Sequence, residues 1–326
     1  MEDSSGNMNL KLLWSFLLLL IAGCTPAPVE PVRLGTNVWA GYEPLYLARS
    51  LGWLDEPNVK LVEFTSTTSV LRAMRDHTLE VAAMTLDEAL LLYQDDPNIR
   101  IVLVMDESSG ADAILARSGI GSLQELKGKR VAAETTALGA YMISRAMDVG
   151  QLQPGDLTII SIPANEHTAA YKSGSVDAVV TFEPVKSELK RAGAQVIFDS
   201  ARIPSEVVDV LVVHDNVLES NRDRLEQLIA AWFRALDYLT EHPNDAAKRM
   251  QPRLKLSVKE VLAQYEGLRL PDLNENLAVL SGGNESRLFE SSQKMAEMMI
   301  NKRLIHKFPE NDIMDASLLH AMETTR

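Results

Sequence analysis

The chain has 326 residues, with 45 acidic against 32 basic side chains and a formal charge of −13. That balance disfavours nucleic acid as a partner, because neutralising phosphates needs a basic face. The 46% hydrophobic and 24% charged residues are those of an ordinary globular body, long enough for two domains at ~100–200 residues each.

The first segment reads as a leader. Lys11 is followed by an unbroken apolar stretch, Leu12 to Ala22. At about 11 residues it is too short for a bilayer core of ~30 Å, which needs ~20 helical residues, so it reads as a secretory h-region. Ile21-Ala22-Gly23-Cys24 resembles a bacterial lipobox, which implies a signal peptide over 1–23 and lipidation of Cys24. Cys24 is the only cysteine, so an internal disulfide is excluded. The plainer alternative is an ordinary signal peptide with a chance cysteine. Glu2 and Asp3 are unusual ahead of an h-region, and Met8 would be a more normal start. Residues 24–31, with three prolines, read as a tether. The expectation is an exported protein, periplasmic or at the cell surface, held to a membrane by lipid.

From Val32 onward, short apolar runs alternate with helical patterns. Strands are expected at Val32–Asn37, Val59–Phe64, Val81–Thr85 and Ile99–Met105, with helices at Glu43–Leu51, Val70–Asp76 and Asp87–Gln94. The pattern restarts with strands at Ala113–Ala116, Arg130–Ala133, Leu157–Ser161, Ala178–Thr181 and Gln195–Phe198, then Asp209–Val213. Helices at Ser122–Leu126, Leu138–Val149, His167–Lys172 and Val185–Arg191 fall between them. Such alternation predicts an α/β protein with mostly parallel, covered sheets. Arg222–Thr240, Val258–Glu266, Arg287–Asn301 and a short segment near Asp315–Met322 form a helical tail, and Glu241–Pro252 reads only as a helix boundary.

Two α/β blocks and a tail assemble naturally as two lobes, residues 32–108 with 209–326 and residues 109–208. The chain then crosses twice, near Asp106–Ala111 and Ser200–Asp209, and two crossings make a hinge with a cleft between the lobes.

The order "WAGYEPLYLA…GWL", "LKGKRVAAE", "FEP" resembles the periplasmic-binding-protein family of nitrate, sulfonate, taurine and thiamine-precursor importers. The resemblance runs from about Val32 to Leu319. It implies a type 2 two-lobed fold and a monomer that captures a small solute and delivers it to the permease and ATPase subunits of an ABC importer. No cofactor and no enzymatic activity are expected, because an enzyme on this fold would need a reactive His or Cys constellation that the sequence does not show.

Ligands of open parallel sheets sit beyond the carboxyl ends of the strands. That rule selects Trp39, Gly41 and Tyr42, then Thr65, Ser66, Thr67 and Ser69, then Thr85 and Asp87. In the second block it selects Thr135, Thr136, Gly139, Asn165, Phe182 and Glu183. The resemblance places Trp39, Tyr42, Ser66, Thr136 and Glu183 in ligand-facing loops. Trp39 and Tyr42 either wall the pocket or cap the core, and Gly41 would let a ligand approach. "STTS" and "TTALG" sit at helix starts, where hydroxyls cap and free N–H groups attract anions. Asp87, Glu183 and Asp209 argue the other way. No Arg or Lys is evident beside them, so an amine-bearing or aminopyrimidine ligand, or a zwitterion, would supply the missing partner.

No H-E-x-x-H, G-x-S-x-G, C-x-x-C or complete phosphate loop occurs, and no histidine pair has metal-binding spacing. The methionines at 295, 298 and 299 read as core. A periplasmic sensor that reports its ligand to a membrane receptor is the alternative to an importer component.

Overall fold

The computed structural model describes residues 30–136, 138–309 and 313–323. The expected leader and Cys24 lie outside the described residues. Among those described, no helix is long and apolar enough to cross a membrane.

Among the described residues, eleven strands form two sheets. In the first, β1 (Val32–Thr36), β2 (Val59–Glu63), β3 (Val81–Thr85), β4 (Ile99–Ser108), β10 (Val208–His214) and β11 (Leu268–Arg269) take the order β11-β4-β10-β3-β1-β2. In the second, β5 (Ala113–Ala116), β6 (Arg130–Ala133), β7 (Thr158–Ser161), β8 (Ala178–Thr181) and β9 (Gln195–Asp199) take the order β7-β6-β8-β5-β9. Composition follows position. The central strands β3, β8 and β10 are buried along their whole length, whereas the edge strands β2 and β7 carry exposed residues.

Both sheets are mixed. Parallel pairing joins β2, β1 and β3, and likewise β7, β6 and β8. The strands next to the crossings, β4 with β10 and β5 with β9, pair antiparallel. The chain leaves the first sheet after Ser108 and re-enters it at Val208, and these two passages are bonded to each other. Ser108 donates its N–H to Val207 O at 2.9 Å and shares a hydroxyl contact of 2.8 Å with Ser200. Gly110 N–H donates to Ser200 Oγ at 2.6 Å. Gly110 has φ +114°, a conformation that glycine adopts without steric cost.

The pairing of β4 with β10 skips Met105 and Val102, so β4 carries two irregularities. The Val104 amide is satisfied from outside the ladder, by the buried Asn276 with Oδ1 at 2.7 Å. Its amide nitrogen is in turn tied to Pro271 O and Asp272 O. Asn276 lies in the helix Leu273–Leu280, an element not expected from the sequence.

A second correction concerns Glu241–Pro252. Most of that stretch is the helix Pro243–Leu254, not a boundary. Pro243 stands in the first turn, where a missing N–H has no helical partner to lose. Ala246, Ala247, Met250 and Leu254 bury one face, and Lys255 at φ +55° ends the helix.

Asn276→Leu keeps the volume but leaves the Val104 N–H unpaired in the core. It should lower unfolding free energy by about 1–3 kcal/mol in chemical denaturation. An unchanged midpoint and slope would show that the amide finds another partner.

Candidate functional site

A cavity of about 680 Å³ opens between the two sheets. Asn37, Phe64 and Arg253 line it from the first, Asn165, Phe182 and Glu188 from the second. Two chambers of about 20 Å³ each adjoin it, and both touch Thr67, Asp112, Leu138 and Phe182. One of them also meets Trp39, Tyr42, Glu88 and Asp209. The other meets Glu134, Gly139 and His167.

The loop after β1 builds the first chamber. Trp39 is extended and is followed by a tight turn over Ala40–Tyr42. Its indole N–H donates to Asp106 Oδ2 at 3.0 Å, and its ring meets Phe182 edge-on at 5.7 Å, joining the two halves of the cleft. Trp39 is therefore core and wall together. Gly41 has a different role from the one expected. A Cβ there would lie 1.8 Å from Asp106 Oδ2, so its space is taken by the protein's own carboxylate and not left for a ligand. The Tyr42 hydroxyl donates to Asp209 Oδ1.

Of the two helix starts expected to hold an anion, the one at "STTS" has its Thr68 and Ser69 amides engaged. Ser66 caps the helix Thr67–Arg75 by accepting from Ser69 N–H at 3.3 Å. The next free amide, Thr68 N–H, donates to Glu134 Oε1 at 2.7 Å, across the cleft. The other oxygen of Glu134 accepts from Ala164 N–H at 3.2 Å. The hydroxyls of Thr68 and Thr136 meet at 2.5 Å, while Thr135 turns to Ser161 at 2.7 Å. Gly139 lines the second chamber, but a Cβ on it would also sit 2.7 Å from Glu134 O, so the helix packs on that backbone. At the helix Leu86–Tyr93, Glu88 Oε2 accepts from Thr85 N–H at 3.0 Å.

Buried carboxylates dominate what remains. Asp87, Glu88, Asp106, Asp112, Glu183 and Asp209 are all buried. Burial pushes Asp112 up to about 7, against the pull of Ser108 and Lys186. Burial also raises Asp87, Glu88, Asp106 and Asp209, with repulsion from Asp106 adding to the effect on Asp209. Among the described residues, Glu88 Oε1 and Asp112 Oδ2 have no hydrogen-bond partner. Glu183 is better supplied than expected. Its Oε2 accepts from Ser187 N–H at 3.0 Å, and Lys186 Nζ stands 3.6 Å from Oε1. The expected absence of a cation near these acids is thus corrected by Lys186, whose ammonium also donates to Gly110 O at 2.6 Å. Burial lowers the pKa of His167, against the Ile162 carbonyl and Glu134, and its ring nitrogens bond Thr181 and Ile162 O.

Sequence reasoning missed Glu88, Asp106, Asp112, Glu134 and Arg253. Arg253 closes the rim of the large cavity. It stacks on Tyr46, with 3.3 Å to the ring centroid, pairs with Glu63, and donates to the buried Glu43 at 2.7 Å. Burial pushes Glu43 up to about 7, with Arg253 opposing. His77, Asp96 and His214 form a further cluster, their ligand atoms within 4.8 Å of one another. His214 pairs with Ile99 at the start of β4, so this cluster sits at the strand ends away from the cleft. Its Nδ1 is already bonded to Asp96 at 3.0 Å.

Two outcomes follow from these charges. Arg253→Ala strands the Glu43 carboxylate and should cost about 3–5 kcal/mol, with Glu43→Gln in the same chain recovering part of it by calorimetry. The folded-state pKa of Asp112 lies above its unfolded value, so the folded chain holds extra protons between roughly pH 4 and 7. That contribution is complete at low pH and lost as pH rises through 7. The melting temperature should therefore be higher at pH 5 than at pH 8, and a rise over that interval would contradict the assignment.

Comparison with known proteins places this geometry. A protein of Bacillus subtilis (strain 168) named as an aliphatic sulfonates-binding protein is 24% identical over 71% of this chain and 74% of its own. The taurine-binding periplasmic protein of Escherichia coli (strain K12) is 21% identical over 49% of this chain and 50% of its own. The alkanesulfonate-binding protein SsuA from Xanthomonas axonopodis pv. citri, solved with MOPS bound, superposes with a TM-score of 0.73 at 19% identity, covering 86% of this chain and 96% of that one. These relatives are binding proteins, not enzymes, and the two-sheet α/β architecture is theirs. The model of the NMT1-like family matches residues 25–252, and the chain belongs to that family.

Proposed function

We propose that the chain is the solute-binding component of an ABC importer, built as two lobes over residues 32–108 with 209–326 and 109–208. It takes a small polar solute, sulfonate-, nitrate- or taurine-like or aminopyrimidine-like, into the interlobe cavity and presents it to a membrane permease and its ATPase. The export leader and a lipid on Cys24 would hold it at the membrane as a monomer. The observation that carries this reading is the cavity of about 680 Å³ between two sheets whose connections are confined to bonded crossings.

Closure about those crossings is the proposed mechanism. Trp39 on Phe182 and Thr68 on both Glu134 and Thr136 are contacts that an open cleft lacks. Their free energy adds to that of the ligand in holding the closed state. Candidate ligand contacts are Trp39, Tyr42, Thr67 and Asp209 at the first chamber, and Gly139 at the second. Ser66, Asp87, Thr135, Thr136 and Glu183 line neither the cavity nor the chambers.

A thermal-shift panel of sulfonates, nitrate, taurine, amines and aminopyrimidines on the body after Cys24 tests the reading. A ligand at ~100 times its dissociation constant stabilises by ~2.7 kcal/mol. Solution scattering with the best binder should show a smaller radius of gyration; an unchanged radius would sink hinge closure. Glu134→Ala removes the acceptor of Thr68 N–H across the cleft, together with that of Ala164 N–H on its own side, and should weaken that binder about tenfold or more by calorimetric titration.

A further inference from the structure

Two carboxylates end in the inner chambers without a partner, although each is almost wholly removed from water. Glu88 is 1% exposed and Asp112 3% exposed. Each gives one oxygen to a protein donor or stands beside one, and leaves Glu88 Oε1 and Asp112 Oδ2 unbonded. Asp209 lines the same chamber, and Asp106 lies behind it, bound to Trp39. The nearest cation, Lys186, is held by Gly110 O and Glu183. A buried polar group without a partner is costly, and a buried charge more so. The unpaired oxygens therefore mark a missing donor.

The surroundings describe that donor. Each chamber is about 20 Å³, and a water-sized group needs roughly 10–15 Å³. Trp39, Tyr42 and Phe182 supply aromatic surface, which favours a cation over an anion. An anion placed here would meet the unbonded oxygens of Glu88 and Asp112, and the amides of Thr68 and Thr85 are already spent on Glu134 and Glu88. A bare metal ion fits poorly as well, because among the described residues these acids do not bring three ligand atoms within reach of one another.

Resting on the solute-binding reading above, we infer that the protein takes an organic nitrogen cation, with a compact ammonium-type head seated between Glu88 and Asp112 beneath Trp39 and Phe182. The rest of the molecule occupies the larger cavity, which Phe182 also lines. The head displaces the unpaired state of the two carboxylates, and the lobes close over it.

The experiment has two arms, both on the body after Cys24. In the first, calorimetric titration compares ethanolamine, putrescine and 4-aminopyrimidine with ethanesulfonate, propane-1,3-diol and nitrate. Binding confined to nitrogen bases, and weakened at least tenfold in Glu88→Gln and in Asp112→Asn, is expected. Binding by ethanesulfonate or nitrate but by no nitrogen base overturns the inference, while leaving the solute-binding reading intact. The second arm needs no ligand. At pH 8 the unliganded Glu88→Gln and Asp112→Asn chains should melt at a higher temperature than the parent, because each removes an uncompensated buried charge and retains an acceptor oxygen. A lower melting temperature in both would show that the carboxylates are satisfied by the fold, and would overturn the inference even where none of the six probes binds. An unchanged radius of gyration with a bound amine would defeat hinge closure but not the choice of cation.

Discussion

Asp106 lies at the end of β4, where the chain is about to leave the first sheet, and its carboxylate accepts the Trp39 indole N–H at 3.0 Å. Much of the cleft depends on that bond. It holds the loop after β1 down over the sheet, which requires glycine at position 41 because a side chain there would collide with the carboxylate. It presents the Trp39 ring edge-on to Phe182, on the far side of the cleft. Asp106 pairs directly with Asp209 across the ladder, and Asp209 receives the Tyr42 hydroxyl. One hydrogen-bonded set thus ties the aromatic wall to the two strands that carry the chain between the sheets.

A second constraint acts on charge. Helix starts in an α/β cleft are natural anion seats, since their first amides have no helical partner. Here the chain places its own carboxylates on them, Glu134 on Thr68 and Glu88 on Thr85. The consequence is that carboxylates occupy these two positions, while Glu88 Oε1 and Asp112 Oδ2 remain unbonded. The relatives named for sulfonates and taurine share the scaffold at 24% identity or less. At that distance the scaffold persists while the charge lining a chamber can be exchanged, because the sheets depend on buried apolar runs and the cleft on individual side chains.

How much was legible follows the same division. The strands Val81–Thr85, Ala113–Ala116, Arg130–Ala133 and Ala178–Thr181 were readable to the residue, because short apolar runs between turns have few other uses. The aromatics after β1 were selected by the strand-end rule, and the acid at position 209 by its place beside the second crossing. The helix Pro243–Leu254 was not, since its two prolines and its charges looked like punctuation, although Ala246, Ala247, Met250 and Leu254 carried the periodicity that places it. Glu88 forms one half of a capping box with Thr85, and nothing local in the sequence distinguishes its second oxygen.

The sequence by itself determined the alternation of elements, the likeness to solute-binding proteins, and the loops that would face a cleft. Those depend on local periodicity and on short motifs that act over a few residues. Only the tertiary structure decided which groups in those loops are spent on one another. Whether Thr68 offers its amide to a ligand depends on Glu134, and whether Gly41 leaves space depends on Asp106, partners 66 and 65 residues away in the chain. Hydrogen bonds and desolvation act through space over a few ångströms, and no spacing along the chain encodes which carboxylate arrives there with an oxygen to spare.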